Sequence, residues 1–134
     1  MKGENWINLD EGKMKPEEYF DLVMKEFPET KLGILEWESE MIHMRMETFA
    51  EYTIKQIENN DIDELKRCFE FQESKIELIN SELENALNVS YCEALLLGDA
   101  ADEMERITQY MSEKLKAEYF AYRKYYLDLV KSSE

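Results

Sequence analysis

The stretch NNDIDELKRCFEFQESKIELINSELENAL, residues 59–87, decides the fold class. Asn59-Asn60-Asp61 reads as a turn, and Asp61 with Glu64 has the spacing of a helix-capping box. Behind it, Ile62, Leu65, Phe69, Ile76, Ile79, Leu83 and Leu87 recur at three, four or seven residues. That spacing lays one apolar stripe along one face of an α-helix, whereas a strand would alternate at every second residue. The pattern predicts a helix over about 62–87.

The same periodicity extends in both directions. Upstream, Thr30 reads as the cap of a long helix reaching about Glu58, with Leu35, Ile42, Met46, Phe49, Thr53 and Ile57 facing the core. Before it, Pro16 suits a first helical turn, Glu17 and Glu18 suit its positive end, and Pro28 stops the helix after Phe27. Downstream, Asn88 suits a left-handed helix end, and Ser90-Tyr91-Cys92-Glu93 reads as a capping box restarting a short helix that Gly98 ends. Asp99 then caps a last helix whose stripe is Met104, Ile107, Met111, Leu115, Tyr119, Tyr122, Tyr126 and Leu129. The expectation is an all-α single domain of about five helices over residues 15–134, behind a ragged N-terminal segment 1–14. Short turns between long helices leave two arrangements open, an antiparallel bundle or a small helical-hairpin stack.

The 134 residues suit one domain, and 44% hydrophobic content supplies a core without a cofactor. Sixteen basic against 31 acidic side chains give a net charge of −15. That field repels nucleic-acid phosphates and anionic lipid and favours encounter with a basic protein. The start, Met1 to Trp6, lacks the basic and apolar regions of a secretion signal, and no run approaches the ~20 apolar residues of a membrane helix. A soluble cytoplasmic protein with no membrane contact is expected, with Cys68 and Cys92 as small core residues, not a disulfide.

Asp63 to Phe71 and Leu83 to Leu95, with Phe27-Pro28-Glu29 and Phe49 to Thr53, resemble a small, functionally uncharacterised family of acidic helical bacterial domains. The resemblance spans about residues 17–98. It implies the helical fold and a toxin-immunity context, and it brings no catalytic residues with it.

Chemistry is sparse. Glu40, His43 and Glu47 share a helix side in this reading, but one histidine and two separated cysteines make no closed ligand set, so no metal is predicted. Nucleophilic catalysis would need Ser or Cys beside His43 and a third group holding the imidazole. No Gly-x-Ser-x-Gly, Gly-rich phosphate loop or His-Glu-x-x-His is present. The glycosylation-like Asn88-Val89-Ser90 is explained by capping. Tyr119, Phe120, Tyr122, Tyr125 and Tyr126, interleaved with Lys116, Arg123 and Lys124, read as core or as a self-association or partner face, not a base-stacking surface.

Most distinctive are the glutamates. Glu36, Glu40, Glu47, Glu51 and Glu58 fall within about 60° of one another on a continuous helix and form one acidic ridge. Glu70, Glu73, Glu77 and Glu84 form a second ridge beside the next apolar stripe. All of these but Glu58, eight in number, are the candidate partner-binding residues of a non-catalytic protein–protein interaction domain, an immunity-type inhibitor of a basic partner being one form of it. A helical scaffold or homodimer using the Tyr-rich last helix, and an enzyme with a cleft assembled from distant residues, remain the alternatives.

Overall fold

The computed structural model describes residues 10–133. Among them are no strands, only an isolated parallel bridge between Met14 and Ile79. Seven α-helices of five or more residues appear: α1 (Pro16–Glu26), α2 (Lys31–Leu35), α3 (Ile42–Glu58), α4 (Ile62–Lys75), α5 (Ser81–Ala86), α6 (Glu93–Leu97) and α7 (Glu113–Ser133). About five had been expected. The difference arises because three of the long helices read from periodicity are interrupted.

The helix expected from Thr30 to Glu58 breaks between α2 and α3. Arg45 holds the break, donating from Nε and Nη2 to the Trp37 carbonyl at 3.1 and 2.8 Å, so a carbonyl leaving the helix finds a charged partner. Thr30 donates its hydroxyl to the Phe27 carbonyl instead of capping, and Leu35, expected in the core, is 52% exposed. Leu35 and Ile42 keep a heptad spacing across this non-helical turn, so the stripe alone conceals the break.

The helix expected over 62–87 ends at Lys75. The turn that follows takes the Met14 N–H on its Leu78 carbonyl (2.7 Å), and Asn80 N–H bonds the Met14 carbonyl (2.9 Å). Asn80 then caps α5 through the Leu83 N–H at 2.9 Å. Of the N-terminal segment 1–14, residues 1–9 lie outside the described residues. Asp10 accepts from the Ser81 N–H and hydroxyl, at 3.1 and 2.7 Å.

Between α5 and α6 the chain forms a π-helical segment, Leu87–Cys92. Asn88 is therefore right-handed here, and Ser90 does not cap a new helix, because the backbone never leaves the helical region. Gly98 does end α6. A Cβ there would stand 2.4 Å from the Ala94 carbonyl oxygen, so only glycine permits the approach. The last helix starts at Glu113, not Asp99, after a four-residue helix, Met104–Ile107, flanked by 3-10 turns. Its N-terminus is capped from α4, where Glu73 accepts from the Lys114 and Leu115 N–H groups at 3.0 and 2.8 Å.

α3 is the central element, touching α1, α2, α4, α5, the π segment and α6. An aromatic cluster fills the space around it, with Phe49 centroids 5.2, 5.7 and 5.4 Å from Phe27, Phe71 and Tyr91. Core polar groups are paired: the Tyr19 hydroxyl donates to Gln72 at 2.6 Å, and Thr53 and Tyr91 share a 2.7 Å bond. Cys68 and Cys92 are free and buried. Burial pushes the Cys68 thiol up to about 12, which keeps it protonated. No helix among the described residues is long and apolar enough to cross a membrane.

Candidate functional site

The π segment determines what faces α3. Its wider turn brings Ser90 against His43 of α3, with Nδ1 and Oγ 2.6 Å apart. On the opposite side of the segment, Asn88 donates to the Glu118 carboxylate of α7 at 3.1 Å. The segment thus ties α3 to α7, and beside it opens a groove of about 360 Å3.

One wall of the groove is Glu47, Glu51 and Ile54 of α3; the other is Val89 and Ser90 with Glu93, Ala94 and Leu97 of α6, and Gly98-Asp99 closes the end. Glu47 and Glu51 share a wall because they are four residues apart on one helix. Four carboxylates and the apolar side chains of Ile54, Val89, Ala94 and Leu97 line the groove, and no lysine or arginine does. Burial pushes the Glu51 carboxyl above the ordinary range, and the negative charge of Glu47 adds to this. Glu93 is fixed by the Tyr122 hydroxyl, which donates to it at 2.6 Å; burial and this carboxylate both push the phenol up.

A larger groove of about 640 Å3 shares Glu51 and contains Glu64, Arg67 and Lys55. Two of its charges, Glu64 and Arg67, are committed to each other. Tyr52 donates to Glu64, Arg67 pairs with the same carboxylate, and Arg67 also donates to the Glu26 carbonyl at 3.0 Å while stacking on Phe27. Burial raises the Glu64 carboxyl, but those two hydrogen bonds outweigh it and hold it below the ordinary range. This arrangement braces α1, α3 and α4.

The eight glutamates singled out in the sequence are dispersed. Glu36 and Glu40 lie in the turn before α3 and share no helix face with Glu47 and Glu51, which line the acidic groove. The proposed Glu40-His43-Glu47 helix side is lost with the same break. Glu70 lines a third groove beside Lys25 and Lys75. Glu73 caps α7, and Glu77 pairs with Lys114 at 3.1 Å. Glu84 sits on α5, where its charge helps raise the Glu118 carboxyl, second to burial and against the Asn88 bond. Glu93, Asp99 and the His43–Ser90 pair were not singled out together, and no local signal joins residues more than 40 positions apart.

The His43–Ser90 contact is the first half of a nucleophile arrangement. Activation also requires a group that orients the other imidazole nitrogen, and among the described residues none hydrogen-bonds it. No three His, Cys, Asp or Glu side chains among the described residues are grouped to hold a metal ion.

Fold and groove together define an all-helical domain with a surface cleft lined by acidic and apolar residues. The chain belongs to the family described as Domain of unknown function (DUF7674), whose model matches residues 20–127. The family match runs beyond Gly98, where the resemblance read from the sequence stopped, and takes in most of α7. No curated protein and no solved structure matches the chain.

Proposed function

We propose that this chain is a non-catalytic protein–protein interaction domain whose α3–α6 groove takes a basic, amphipathic segment of a protein partner. One observation carries this reading: four carboxylates and four apolar side chains line the groove with no cation among the lining residues. Carboxylates left without lysine or arginine neighbours attract lysine and arginine from outside, which raises the encounter rate, while Val89 and Leu97 offer area to bury. The net charge of −15 acts in the same direction at longer range. An immunity-type role in the cytoplasm, in which the segment belongs to a basic toxin, is one case of this reading.

The test uses a defined probe, a lysine- and leucine-rich amphipathic helical peptide, with association rates measured at two salt concentrations. Wild type should associate faster than Glu47→Gln/Glu51→Gln, and its rate should fall more steeply with salt, because screening has more charge to act on. Equal rates and equal salt slopes for the two proteins would overturn the reading.

A further inference from the structure

Two surfaces of opposite character lie side by side. The packed stripe of α7 begins with Leu115, Tyr119 and Tyr122, all buried, and continues at helical spacing through Tyr126, Leu129 and Val130. The covering ends before the stripe does: none of residues 123–133 is buried, and Leu129 and Val130 are 51% and 39% exposed. At a rise of ~1.5 Å per residue this uncovered part extends about 16 Å beyond Tyr122. Lys124 pairs with Asp128 at 2.9 Å, and Arg123 and Lys131 are left over, so residues 123–133 carry a net positive charge on a strongly acidic chain.

We infer that this basic, apolar end of α7 docks in the acidic groove of a second copy of the chain, and that the exchange is reciprocal. The inference rests on the groove taking a basic segment and names that segment. Charge complementarity selects the occupant: Glu47, Glu51, Glu93 and Asp99 line the groove without a cation, and the α7 end supplies Arg123 and Lys131, with Lys124 held by Asp128, beside Leu129 and Val130. Continuity supports it as well. Tyr122, the last buried residue of α7, is bonded to Glu93 in the groove wall, so groove and helix end share an edge. A two-fold axis near that edge sets each helix end against the other copy's groove, the self-complementary arrangement a symmetric dimer requires. The like charge of two whole chains opposes approach at long range, but at 0.15 M salt a Debye length of about 8 Å leaves the contacting faces to decide.

Sedimentation velocity at 0.15 M salt tests this with three proteins. Wild type should be a dimer. Glu47→Lys/Glu51→Lys and Arg123→Glu/Lys124→Glu should each be monomeric, with unchanged helical content because all four side chains are exposed. Mixing the two variants should restore a dimer, since each reversed groove then meets a reversed helix end. A monomeric wild type would overturn the self-docking, and so would a dimer that survives the groove reversal, which would mean that α7 pairs elsewhere. The peptide probe described above separates the two ideas: if it still binds the groove of a monomeric wild type, only the identity of the segment is wrong.

Discussion

Phe69 is 1% exposed and lies on the stripe that first identified α4 as helical. Truncating it removes apolar contacts and leaves a cavity, so Phe69→Ala should cost about 3–5 kcal/mol in denaturant unfolding. An unchanged midpoint would mean that its burial contributes nothing. Glu51 tests the electrostatics at the same scale. Burial, then the charge of Glu47, favours its neutral form, so its folded pKa lies above its ordinary value of 4.5. The stability this contributes is present below pH 4.5 and is lost as pH rises through the raised value. Glu51→Gln should therefore raise the melting temperature at pH 7 and change it little near pH 4. A lower melting temperature at pH 7 would show that the carboxylate has a stabilising partner.

At the scale of elements, termini matter more than stripes. Asp61 caps α4 as its spacing predicted, accepting from the Glu64 N–H at 3.2 Å. Glu64 does not reciprocate as in a full capping box, because its carboxylate is taken by Tyr52 and Arg67. α7 has no local cap of this kind and borrows Glu73 from α4, 41 residues earlier. Glu73→Ala should cost about 0.5–2 kcal/mol, as losses of helix caps do, while Glu73→Gln keeps an acceptor oxygen and should cost less. Equal effects of the two substitutions in thermal unfolding would show that the carboxylate charge, not its hydrogen bonding, is what α7 uses.

Over the whole molecule, charge opposes compaction. With −15 on 134 residues and, among the described residues, only a few exposed ion pairs, such as Arg106–Glu103 and Lys124–Asp128, self-repulsion is weakly offset. Unfolding free energy should rise as sodium chloride is raised from about 0.01 to 0.15 M, where the screening length shrinks from about 30 to 8 Å. A flat or falling dependence would mean that local pairing outweighs the net charge. The same scale separates what was legible in the sequence from what was not. Apolar periodicity, few breakers and the Asp61 signal determined by themselves that the chain is helical, that Phe49, Leu65, Phe69 and Leu83 are core, and that Glu47 and Glu51 share a face, because each follows from spacing within one helix. Only the tertiary structure decided where the long helices break, because Arg45 reaching Trp37 and Met14 pairing beside Ile79 are contacts that an apolar stripe does not encode. It also decided the groove, since Glu93 and Asp99 come to face Glu47 and Glu51 through the π segment and the packing of α6 on α3, and contacts between residues so far apart in the chain are set by how the helices pack.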